Sequence, residues 1–206
     1  MFPGFATFAL ATLVLNLTPG PDMMYVIGRS VGQGRRAGIV SALGIGGGCL
    51  VHTAAVALGV AALLHSWPPA FQVVRYAGAT YLVYLGLLLL ARRRANPALG
   101  ELPAENLPAI FRQGVGTNVL NPKVGLFFLA FLPQFVSPSH GGVAWQLAAL
   151  GLYFDCSGTI VNLAVAYLAG TAGNLLKNSR RREVAERSSG AVYIALGLLV
   201  GLTRST

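Results

Sequence analysis

The sequence predicts an all-α integral membrane protein: six transmembrane helices in two inverted three-helix repeats, with spans one and four broken at proline motifs. Three observations predict it. Of the 206 residues 54% are hydrophobic and only 10% charged, and mean hydropathy is +0.64, whereas soluble domains carry about 25% charged residues. The apolar residues gather in six long runs. The basic residues sit in alternate gaps between those runs.

A hydrocarbon core about 30 Å thick needs about 20 apolar residues per helix. The runs are 5–28, 38–64, 71–91, 113–135, 143–173 and 189–203. In lipid they must be helices, because strands would leave backbone groups unpaired. The last run reaches only about 22 Å at 1.5 Å per residue, so it needs a thinned bilayer or residues before Ser188. The first basic residue is Arg29, so the start lacks the charged region of a secretory signal and reads as a retained span. Six spans leave no length for a soluble ATPase or catalytic module. A single membrane domain is expected, with halves of roughly 1–95 and 108–206 about a basic loop.

Arg29, Arg35 and Arg36 lie between spans one and two; Arg92, Arg93, Arg94 and Arg112 between three and four; Lys177, Arg180, Arg181, Arg182 and Arg187 between five and six. The gaps at 65–70 and 137–142 hold no Lys or Arg, and Trp67 and Trp145 flank them. The positive-inside rule makes the basic gaps cytoplasmic and both termini extracytoplasmic. The net charge of +9 follows from that topology, and no aromatic residues interleave the basic runs as nucleic-acid binding would require. Spans one and four then run in opposite directions. They also share a pattern: L-N-L-T-P-G-P-D at 15–22 and T-N-V-L-N-P-K at 117–123. Inverted repeats with corresponding broken helices are a recurring transporter design, with the binding site at the breaks.

Pro19, Gly20 and Pro21 cannot all sit in an unbroken helix, since proline removes a donor and clashes with the preceding turn. Thr18 can cap the half-helix that follows, and Asp22 falls in its first turn, where the dipole favours an acid. A simple kink is the plain alternative. The matching N-P-K motif in the other half favours a functional break. Lys123 lies near the middle of span four, flanked by Asn118, Asn121 and Pro122, where a charge costs at least about 2.5 kcal/mol. It is expected to face the interior and meet an acid or an anionic solute group. Asp22 and Asp155 are the available acids. Asp22 stands about seven residues from Arg29, towards the cytoplasmic face, so Asp155 competes with it as the partner of Lys123. Asp155 divides evenly between helix glue and proton or solute coupling. His52, at mid-depth in span two, reads first as structural and second as a proton relay.

His52, His65 and His140 and the two cysteines form no metal-binding spacing, and no cofactor is expected. Gly44–Gly48 and Gly197–Gly201 permit close helix approach. Packing within the bundle is the favoured reading, with a homo-oligomer as the alternative.

These residues resemble the LysE/RhtB family of bacterial amino-acid exporters. The resemblance lies in N-L-T-P-G-P-D at 16–22, R-S-V-G-Q-G-R-R-A-G at 29–38, the glycine-rich second span, and Y-L-V-Y-L-G-L at 81–87. It continues in F-R-Q-G-V-G-T-N-V-L-N-P-K at 111–123 and F-F-L-A-F-L-P-Q-F-V at 127–136. It implies six helices in two inverted halves in the bacterial inner membrane, exporting amino acids or related small zwitterions, with protons as coupling ion. It carries over Pro19, Gly20, Pro21, Asp22, Asn118, Asn121, Pro122 and Lys123 as the substrate or coupling site. His52 and Asp155 are added to that set by burial and charge. Two other readings compete: a thiol–disulfide relay through Cys49 and Cys156, in corresponding spans two and five, and a passive channel. Neither cysteine sits in a C-x-x-C context, and two opposite charges on unlike motifs fit a binding site better than a filter.

Overall fold

The structure is a computed structural model that describes residues 4–60, 103–137 and 141–171, with isolated positions at 62–87, 194 and 198. Spans three and six, the Gly197–Gly201 pair and the basic stretches 92–94 and 177–187 lie mostly or wholly outside the described residues. All regular structure among the described residues is helical: α1 (Phe5–Leu17), α2 (Pro21–Gln33), α3 (Arg35–Ala55), α4 (Leu107–Val119), α5 (Pro122–Leu126) and α6 (Val143–Thr171). A π-helical turn, Val56–Val60, continues α3; another, Phe127–Phe131, and a 3₁₀ turn, Leu132–Phe135, continue α5.

Both expected breaks are present, and proline chemistry explains them. Thr18 precedes a proline and is extended, at φ −75° and ψ 118°, as the proline ring demands of its predecessor. Gly20 is the N-cap of α2 and Pro21 its first residue, where a missing N–H costs nothing. At the second break Asn121 caps α5, its side chain accepting from Lys123 N at 3.0 Å, with Pro122 next. α4 and the Pro122–Phe135 stretch are bent by 46° at this break. Two boundaries differ from expectation. Thr18 does not cap α2, because its hydroxyl turns back to Val14 O at 2.6 Å. The first broken segment also runs on to Gln33 rather than ending near 28, so Arg29 is a helix residue and not a loop residue. Gly34, at φ +85°, then turns the chain into α3 in a conformation that suits glycine.

Among the described residues two helices are long and apolar enough to cross a membrane alone, Arg35–Gly59 and Val143–Thr171. Their outward faces are apolar: Leu58 is 73% exposed and Ile160 67%, and Leu10, Leu13 and Leu17 continue this surface on α1. Such a surface suits hydrocarbon, not water.

α3 packs against α2, α4 and α6. Its approach to α4 depends on glycine: a methyl group on Gly48 would stand 2.7 Å from Val115 O, and one on Gly114 would stand 3.1 Å from Gly44 Cα. The Gly44–Gly48 pair therefore serves packing within the chain, as expected. Two apolar clusters flank the middle of the bundle. One is aromatic, with Phe8, Phe127, Phe128, Phe131 and Phe154; the other is Val26, Ala42, Ile45 and Ala166. The polar residues of the breaks lie between them.

Candidate functional site

The two breaks come together. Asp22 and Lys123 each occupy the second residue of a half-helix that starts with proline, so the two motifs correspond in structure as well as in sequence. They line one cavity with Asn16, Thr18, Asn118, Asp155 and Thr159. Gly20, Met23, Ile45, Cys49, Val124, Phe154, Gly158 and Asn162 complete its wall. About 440 Å³ of empty space lies within it, counting the part that opens outward.

Lys123 is 8% exposed, and its ammonium donates to Thr18 O at 2.7 Å. Of the two acids, Asp22 is the one that interacts electrostatically with Lys123, but neither carboxylate holds that hydrogen bond, which goes to a backbone carbonyl. The reason is the helix dipole. Thr18 caps the C-terminal end of α1, where free carbonyls concentrate partial negative charge, and a cation there is stabilised by about 0.3–1 kcal/mol or more when partly buried. A lysine at the positive start of its own helix α5 thus finds its counter-charge at the end of another.

Asp22 sits at the N-terminal end of α2, where the dipole favours it. Its Oδ2 accepts from Asn118 Nδ2 at 2.7 Å. Asn121 approaches the same carboxylate without reaching hydrogen-bond geometry, so Asp22 Oδ1 and Asn121 Nδ2 are buried and unpartnered. Asp155 faces the cavity from α6, its Oδ1 accepting from Thr159 Oγ1 at 3.2 Å. Asp22 is also less remote from Lys123 than the count from Arg29 suggested. α1 and α2 have 13 residues each, which puts the break at the middle of the segment.

His52 does not line the cavity. Its Nε2 meets Asn118 O at 3.1 Å, near the C-terminal end of α4, and its ring lies 5.8 Å from that of Phe128. It does for α4 what Lys123 does for α1. Pro19, Pro21 and Pro122 shape the backbone, and only Gly20 of the P-G-P turn reaches the cavity wall.

Several lining residues escaped the sequence reading. Thr159 and Asn162 follow Asp155 at helical spacing on α6, a polar stripe that was legible as such. Asn16, whose Nδ2 donates to Ser157 Oγ at 3.0 Å, carried a signal only as part of the first motif.

The chain that builds this arrangement has relatives. Residues 13–204 match the LysE type translocator family. The chain belongs to that family. It is a translocator and not an enzyme, which removes the thiol relay; Cys49 is buried and Cys156 exposed, both as free thiols. A membrane protein of Pseudomonas aeruginosa of uncharacterized function is 32% identical over 98% of this translocator and 95% of that protein. The homoserine/homoserine lactone efflux protein of Salmonella typhimurium is 25% identical over 98% of each chain. The leucine efflux protein of Salmonella typhi is 33% identical over 71% of this chain and 70% of its own. No solved structure matches the chain.

Proposed function

We propose that this translocator exports amino acids or related small zwitterions from the cytoplasm across the bacterial inner membrane, by proton-coupled alternating access between two inverted three-helix halves. The observation that carries the reading is the pair Asp22 and Lys123, opposite charges at equivalent positions of two half-helices on one cavity. A zwitterion requires one acid and one base. Lys123 spends one of three ammonium protons on Thr18 O, leaving two for a carboxylate, and the uncapped N-terminal end of α2 adds backbone donors. Asp22 and Asp155 offer carboxylates to the substrate ammonium or to a proton. Asn118, Asn121 and the prolines hold these groups in place, and His52 braces α4 behind them. The efflux proteins named among the relatives support a substrate of this class. Arg29 on α2, Arg35 and Arg36 at the start of α3 and Arg112 on α4 support a cytoplasmic orientation for that side.

The test is efflux of a panel of amino acids and dipeptides from cells making the wild type, the Asp22→Asn variant or neither. The wild type should lower the internal level of at least one of them, the variant none, and an uncoupler should stop the difference. A wild type that behaves as the empty cell for every compound overturns the export reading. Counterflow of labelled substrate separates a carrier from a passive channel.

A further inference from the structure

α2 meets α4 and the residues just before it along a seam of polar side chains that begins at the cavity and runs away from it. Nearest the cavity is the Asn118–Asp22 bond. Next, Tyr25 Oη donates to Ile110 O at 2.8 Å. Arg29 then donates to Gln113 Oε1 at 2.6 Å and to Pro103 O at 2.9 Å, and Gln33 Nε2 donates to Glu105 O at 3.0 Å. Positions 22, 25, 29 and 33 recur at helical spacing, so one face of α2 supplies the whole seam. Asp22 at the start of α2 meets Asn118 near the end of α4, and Gln33 at the end of α2 meets Glu105 just before α4, so the two helices run antiparallel.

Arg29 is the centre of this seam. A basic residue at the end of an apolar run is ordinarily solvated, yet Arg29 is 2% exposed. Gln33 Oε1 accepts from it at 2.5 Å, and its guanidinium lies 5.6 Å from the centre of the Tyr25 ring. Its Nε has no partner. A buried, permanently charged group with one donor unsatisfied gains hydration when its surroundings part. The other side of the cavity is closed differently. Phe154, on the cavity wall, lies 4.8 Å from Phe127, which joins Phe8 and Phe131. Parting that cluster exposes apolar surface. Parting the seam exchanges hydrogen bonds for bonds to water, at small net cost.

We infer that the α2–α4 seam is the gate through which substrate passes between the cavity and the basic side of the protein, and that Arg29 is its latch, with Tyr25 and Gln113 as the catch. The inference rests on the export reading for the direction of travel and for calling that side cytoplasmic.

The native thiols provide the test. Cys49 lines the cavity and is buried, and with Cys156→Ser it becomes the sole thiol of the full chain. The rate at which a membrane-impermeant cationic methanethiosulfonate modifies Cys49 is compared in inside-out and right-side-out vesicles. Gln113→Ala and Tyr25→Phe keep the guanidinium, and each should raise modification from the cytoplasmic face about tenfold, as expected for losing a hydrogen bond to a charged group or its neighbour. The right-side-out rate should not change. Arg29→Gln should exceed both; if it fails to insert, the two milder variants decide. Rates unchanged in the variants, or raised equally from both faces, overturn the gate. A one-sided rise in a protein that exports no amino acid would leave the gate standing and remove the export reading.

Discussion

Lys123 Nζ donates to the carbonyl oxygen of Thr18 at 2.7 Å across 105 residues of sequence. The charge carried by one broken span thereby closes the C-terminal end of the first half-helix of the other. Four predictions follow from this geometry and from its surroundings.

Lys123→Met should abolish efflux and leave folding intact. The carbonyl of Thr18 would lose its buried donor, so stability in detergent should fall by about 1–3 kcal/mol while the protein still folds. A loss of several kcal/mol would mean that Lys123 chiefly braces α1.

Asn118→Ala should leave both oxygens of Asp22 without a partner and cost about 2 kcal/mol, more than an ordinary hydrogen bond, because a charged group is stranded. Adding Asp22→Asn should recover part of that loss. A double-mutant cycle by chemical denaturation measures the coupling, and additive losses contradict the pairing.

Gly48→Ala should destabilise by about 1–3 kcal/mol, since its methyl group has nowhere to go but into Val115 O and Asn118 Cβ. Gly32→Ala is the control: nothing stands within 4 Å of a Cβ there, and a helical alanine is favoured by up to about 1 kcal/mol. Melting temperatures of the two variants should move in opposite directions.

His52→Gln should retain efflux, because an amide can still donate to Asn118 O. His52→Ala should lose about 1 kcal/mol of stability for the missing bond. Loss of proton-driven efflux in His52→Gln, with stability unchanged, would favour the relay reading.

The helical character of the chain and the locations of both breaks were legible in the sequence for local reasons. A proline has no N–H to give wherever the rest of the chain goes, and an apolar run of bilayer length has few alternatives to a helix. The cap at Thr18 was misjudged because a hydroxyl has two backbone ends within reach, and the carbonyl of Val14 wins at 2.6 Å. Arg29 was misjudged for a different reason. Basic residues flanking apolar runs are ordinarily solvated, and the acceptors on Gln33, Pro103 and Gln113, with the ring of Tyr25, make its burial tolerable.

Taken alone, the sequence determined that the chain is helical and membrane-embedded, where its helices break, and that an acid and a base stand at the breaks. Those properties depend on residue chemistry and on neighbours a few positions away. Tertiary structure decided the pairings: Lys123 with Thr18, Asp22 with Asn118, His52 with Asn118 O, and Arg29 with Gln113. Each joins groups 66 to 105 positions apart. Which acceptor a buried donor finds at that separation depends on how whole helices pack, and here on glycines that let α3 and α4 approach.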